Sequence, residues 1–184
     1  FFREMPPDTG LEFVVILHPS SEHESTLAQV IQTATAMPVV QVNGTEKVEA
    51  NRVYVIPPGK QLAAADGRLE IADLPSERGR RVAVDLFFRT LADTHGPHSA
   101  AIVLSGADGD GAIGIKRIKE RGGLTIAQDP DEAEHAGMPS AAIATGMVDW
   151  VLQVAAMPAR LVKYHELASR LKLPPEIGPQ PAKP

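Results

Sequence analysis

Reactive residue types gather at the ends of two apolar runs. LEFVVIL (Leu11 to Leu17) runs directly into His18, and the run Ala100 to Val103 gives way to LSGADGDG (Leu104 to Gly111), which carries Asp108 and Asp110 among three glycines. An imidazole exchanges protons near neutral pH. The loop could hold a calcium ion, cradle a phosphate, contribute a carboxylate to a catalytic constellation, or simply cap a helix. For calcium, the register that fits best puts Gly106 where the first oxygen ligand belongs and Arg117 where a bidentate glutamate belongs, so two essential ligands are missing. For phosphate, the loop has no lysine followed by serine or threonine, and its aspartates repel an anion. For capping, the glycines permit a tight strand-to-helix turn, and Asp108 or Asp110 accepts backbone N–H bonds at the helix that begins near Gly111. On residue chemistry alone, capping and catalysis stand level.

His23, His95, His98, His135 and His165 lack so clear a strand-end position, and HPSSEH (His18 to His23) lacks the spacing of a helical zinc pair. These five are expected at the surface.

The elements that must position His18 and the LSGADGDG loop follow from periodicity. Apolar runs of strand length alternate with helical stretches, which predicts a layered α/β domain. LEFVVIL and RVYVIP (Arg52 to Pro57) read as strands, with ESTLAQVIQTAT (Glu24 to Thr35) as a helix between them. QLAAADGRLEIA (Gln61 to Ala72) has an Asp66-Gly67 turn between apolar runs and predicts a hairpin beside the main sheet. VAVDLFFRTLADTHG (Val82 to Gly96) places Val84, Phe87, Phe88 and Leu91 at helical spacing and stops at a glycine. SAAIVLS (Ser99 to Ser105) predicts a strand, GAIGIKRIKERGG (Gly111 to Gly123) a helix, LTIAQ (Leu124 to Gln128) and VDWVLQV (Val148 to Val154) strands, and a closing helix runs to about Leu171. The tail Pro174 to Pro184 is too rich in proline to pack and reads as a linker. In open α/β sheets, loops at the carboxyl ends of the strands carry the chemistry, and His18, Asp108 and Asp110 all fall there.

Bulk composition narrows the classes. The chain has 184 residues, 43% hydrophobic and 22% charged, which suits one domain with a real core. A formal net charge of -5 argues against a general nucleic-acid binder, and KRIKER (Lys116 to Arg121) at helical spacing reads as a solvated face. No cysteine is present, which fits a reducing compartment, and the apolar runs are too short to span a bilayer. A cytoplasmic protein without membrane insertion is expected.

The succession HPSSEHES, RVYVIPPGKQL, VDLFFRTLA, IVLSGADGDGAIGIKRIKERGGLTIAQDP and AGMPSAAIATGMVDWVL resembles, in this order and as far as about Tyr164, the CheB-type protein-glutamate methylesterase domain of bacterial chemotaxis. HPSSEHES and AQDPDEAEHAGMPSAAIATG look most like the branch in which the domain is fused to a receptor methyltransferase. The resemblance implies a three-layer, doubly wound α/β fold with a mainly parallel sheet and a small side hairpin. It also implies hydrolysis of glutamyl methyl esters on the cytoplasmic helices of chemoreceptors, with glutamine deamidation in some members, and no metal or organic cofactor. Fused or upstream regulatory and methyltransferase domains are the further implied partners. Of the family's Ser-His-Asp triad, the histidine falls on His18 and the aspartate on Asp110, and Gly106 and Ala107 fall where backbone N–H groups meet a tetrahedral intermediate.

Two departures qualify that expectation. The family's serine loop follows a first strand, whereas FFREMPPDTG resembles the second half of the helix after that loop. Residues 1–173 are therefore expected to form a methylesterase-like domain whose strand and nucleophile lie upstream of Phe1, followed by the tail 174–184. Ser105, Ser20, Ser21 and Ser25 have no nucleophile-elbow context and read as capping or surface serines. Asp108 also stands where the family usually has glycine, beside the oxyanion position. The alternative to an esterase is a regulatory or interaction module that keeps the fold without hydrolysis.

Overall fold

The computed structural model describes residues 1–17, 26–57, 60–73, 83–107 and 109–170. Nine strands and five α-helices are present among them: β1 Phe13–Val15, α1 Leu27–Gln32, β2 Val39–Gln41, β3 Glu46–Lys47, β4 Val53–Val55, β5 Lys60–Ala65, β6 Arg68–Asp73, α2 Ala83–His95, β7 Ala100–Val103, α3 Ala112–Glu120, β8 Leu124–Gln128, α4 Gly137–Ala144, β9 Trp150–Leu152 and α5 Met157–Arg170. Two sheets are wholly parallel, in the orders β1-β4-β2 and β7-β8-β9. The third, β3-β6-β5, is antiparallel and holds the hairpin.

Alternation along the parallel strands shows that the two parallel sheets form one layer. Side chains of a strand point to opposite faces in turn. Val14, Tyr54, Ala101, Val103 and Ala127 enter one apolar cluster with α2, α3, α4 and the hairpin, while Phe13, Val53, Val55, Ile102 and Ile126 enter another with α1 and α5. Each sheet thus contributes to both clusters, and helices cover both faces. Such double coverage is what near-continuous apolar strands require. The fold is α/β with mostly parallel strands, as the alternation of runs predicts.

Several elements need tertiary context to be seen. β2 and β3 each span three residues or fewer, too short for periodicity to register. VVQ pairs with β4 as its parallel partner, and Glu46 and Lys47 widen the predicted hairpin into a three-stranded sheet. α4 in GMPSAAIA is nearly apolar all round, so no polar stripe marks it. α1 ends earlier than its sequence suggests, because the Gln32 side chain takes over local bonding: its amide donates to Met37 O at 3.0 Å and its carbonyl accepts the Val39 N–H at 3.0 Å. The Asp66-Gly67 turn forms as expected, with both residues at positive φ, 47° and 70°. Among the described parallel strands, β1, β2, β7 and β9 each pair on one side only. The tail 174–184 lies outside the described residues.

Candidate active site

The loop after β7 is built onto the segment that links β8 to α4. Ser105 N donates to Gln128 Oε1 at 2.8 Å, and the Ser105 hydroxyl accepts the His135 N–H at 3.0 Å. Gly106 N donates to His135 O at 2.9 Å, and Gly106 O accepts the Met138 N–H at 2.8 Å. The contact is close on both sides and demands glycine at Gly137. A Cβ on Gly106 would lie 2.2 Å from Met138 Sδ, and one on Gly137 would lie 2.3 Å from Ala107 O. The second clash is with backbone, which cannot swing aside.

Asp110 sits at the centre of a second set of contacts. Its side chain is 4% exposed. Oδ2 accepts the Val84 N–H at 3.0 Å and Oδ1 accepts the Asp85 N–H at 2.9 Å, so both carboxylate oxygens meet the first turn of α2. Those amides have no partner within their own helix, and the positive end of the helix dipole favours a negative charge there. Asp85 returns the arrangement: its Oδ1 accepts the Gly114 N–H at 2.7 Å in the first turn of α3. The expectation that Asp108 or Asp110 caps α3 is thereby corrected for Asp110. Its carboxylate turns away from the helix that follows it, through Gly111 at φ 95°, and caps the helix before it in sequence. Asp108 lies outside the described residues.

His18, His23, Ser20, Ser21 and Ser25 also lie outside the described residues. Of the two amides expected at an oxyanion, Gly106 N–H is engaged by His135 O, whereas Ala107 N–H has no backbone acceptor among the described residues. Ser105 is exposed, and its hydroxyl accepts the backbone N–H of His135 in the neighbouring loop. Among the described residues no three His, Cys, Asp or Glu side chains are grouped to hold a metal ion. The two Asp110 oxygens are directed at amide donors, and that geometry weighs against a calcium loop.

Sequence reasoning passed over two residues of this site. Gln128, 6% exposed at the carboxyl end of β8, anchors the Ser105 amide through Oε1 and donates through Nε2 to Glu132 at 3.2 Å. A polar residue closing the apolar strand LTIAQ is the strand-end signal that marks His18, and it applies equally here. Asp85 reads as an ordinary acidic residue of a helix's first turn, and nothing in its local sequence says that the N–H its carboxylate accepts lies on another helix.

The sequence profile of the CheB methylesterase family matches residues 1–161. A putative protein-glutamate methylesterase/protein-glutamine glutaminase of Leptospira interrogans is 29% identical over 151 residues, covering 82% of this chain and 78% of that protein. The protein-glutamate methylesterase FrzG of Myxococcus xanthus is 33% identical over 148 residues, covering 80% of this chain but 44% of FrzG. An uncharacterized 104.1 kDa protein of Rhodobacter capsulatus is 36% identical over 128 residues, 70% of this chain and 13% of that protein. The chain therefore spans less than half the length of several of its relatives. The crystal structure of the Thermotoga maritima CheB methylesterase catalytic domain superposes with a TM-score of 0.81 at 25% identity, covering 89% of this chain and 88% of that domain.

Proposed function

Because the chain belongs to the CheB methylesterase family, we propose that it forms the greater part of a domain that hydrolyses glutamyl methyl esters on chemotaxis receptors, with glutamine deamidation as a second activity. The observation that carries this reading is the buried Asp110 carboxylate at the carboxyl end of β7, held through both oxygens. A carboxylate so fixed can orient an imidazole and stabilise its charged form without itself being protonated.

In the mechanism, a serine attacks the ester carbonyl while His18 takes its proton. Asp110 holds the His18 tautomer, and the Ala107 N–H donates to the oxyanion. His18 then returns the proton to the leaving methanol, and water, activated by the same histidine, releases the glutamate. The serine is contributed by a strand and loop upstream of Phe1. In support of this, β1 and β7 are edge strands among the described ones, as are β2 and β9, so the layer can accept a further parallel strand.

Partners follow from the same reading. Leu17, Leu104 and Ile113 are exposed apolar side chains at the carboxyl strand ends, where an amphipathic receptor helix can lie. The Rhodobacter relative, of which this chain matches 13%, supports a setting within a longer polypeptide with further domains. Among the described residues no helix is long and apolar enough to cross a membrane, and the proposed site of action is the cytoplasmic part of the receptor.

Methanol release from a methylated receptor tests this. Residues 1–184 alone should release none above background, and the same residues preceded by a serine loop should be active. Release by the unextended chain that Ser105→Ala abolishes would relocate the nucleophile, and an inactive extended chain that still binds receptor would favour the non-hydrolytic module.

A further inference from the structure

We infer that Asp85 is a positioning residue for Asp110, an inference that rests on the reading of Asp110 as the triad carboxylate. Asp85 is 7% exposed, and a carboxylate that far from water needs donors. The donor is the Gly114 amide on α3, at 2.7 Å. In exchange, the backbone N–H of Asp85 itself donates to Asp110 Oδ1 at 2.9 Å, with Val84 N on Oδ2. Each helix thus receives at its first turn a carboxylate from the other helix or its leading loop.

This exchange fixes the sliding of α3 against α2. The helices meet at backbone distance, since a Cβ on Gly114 would lie 2.5 Å from Phe88 Cβ and 3.2 Å from Asp85 Cα. Asp110 stands two residues before α3 begins, so any shift of α3 along α2 draws its oxygens off the Val84 and Asp85 amides. The Asp85–Gly114 bond opposes that shift. Asp85 therefore acts on the reaction only through the orientation of Asp110.

The test is an NMR titration of the His18 ring, assigned through His18→Gln, in this chain. An opposing carboxylate raises an imidazole pKa, so Asp110→Asn should lower the His18 midpoint by about one unit. Asp85→Ala should lower it by about half as much as Asp110→Asn, since the carboxylate remains but loses its fixed orientation. Asp85→Asn keeps an Oδ1 acceptor for Gly114 and should restore the midpoint. Asp149→Ala, at the opposite end of the sheet, controls for a loss of stability alone and should leave it in place. If Asp85→Ala proves too unstable to titrate, Asp85→Glu displaces the acceptor by one methylene and reads the same quantity. A His18 midpoint that moves with Asp110→Asn but with neither Asp85→Ala nor Asp85→Glu overturns the role of Asp85 and leaves the triad standing. A midpoint indifferent to Asp110→Asn overturns the triad reading itself.

Discussion

The two ends of the parallel layer use aspartate in different ways. At the amino end, Asp149 precedes β9, accepts the Thr125 N–H at 3.0 Å and meets the Lys119 ammonium at 2.5 Å. At the carboxyl end, Asp110 follows β7 and spends both oxygens on helix amides. Asp149 is exposed, whereas Asp110 is buried. A carboxylate neutralised by a flexible lysine at a wet edge is a fastener, because its charge is already answered and screened. One held by backbone amides has its direction fixed, which is what the role proposed for Asp110 requires. The difference teaches that one layer holds its strand-end acids by two kinds of donor, a mobile ammonium at one end and fixed backbone amides at the other.

The sharpest way to break this contrast is to neutralise each aspartate in a serine-bearing enzyme. Asp110→Asn should cut methanol release about 10³–10⁴-fold, by comparison with serine-protease triads, and Asp149→Asn by about twofold or less. Equal losses would erase the distinction.

Each end also has a glycine without room for a side chain. A Cβ on Gly123 would lie 2.6 Å from Ser99 Oγ and 2.7 Å from Ile118 Cγ2, whereas one on Gly137 meets Ala107 O. Gly123→Ala and Gly137→Ala should each cost about 1–3 kcal/mol in chemical denaturation. Gly137→Ala alone should also depress kcat, because it displaces the Ala107 backbone. A normal kcat in Gly137→Ala enzyme would remove Ala107 from the oxyanion site.

Gln128→Leu strips the acceptor from the Ser105 amide and should cost about 1–3 kcal/mol by the same measurement. Its activity loss should exceed that of Thr125→Val at the other end of the same strand.

The smallest effect is a pH dependence. Burial pushes the Asp149 carboxyl upward, but the Lys119 ammonium and the Thr125 hydrogen bonds outweigh it and leave the pKa below the usual aspartate value. A folded pKa below the unfolded value of about 3.9 gives stability that is present above that pH and lost as pH falls through the folded pKa. The stability gap between the wild-type chain and Asp149→Asn should therefore be constant near neutrality and shrink below about pH 4.

Long periodic segments were legible in the sequence. Val84, Phe87 and Phe88 face the core as their spacing predicts, and Asp66-Gly67 turns the hairpin. The loop carrying Asp110 stood out in the sequence because glycines and acids close an apolar strand there. What it bonds did not. Asp110 reaches back 25 and 26 residues to Asp85 and Val84, Gln128 reaches back 23 to Ser105, and pairings of that range depend on how helices and strands stack. β2 and β3 were invisible for a different reason: at two or three residues a strand exists only through its partner.

The carboxylate exchange between α2 and α3 also bears on how the molecule assembles. Neither helix carries within its own segment the acceptor that satisfies its first-turn amides; each must wait for the other to dock. An isolated peptide of either helix is correspondingly poor at holding its first turn. The pair should gain and lose order as one cooperative unit, with the Val84, Asp85 and Gly114 amides exchanging with solvent through a common opening event and not by separate fraying of two helix ends.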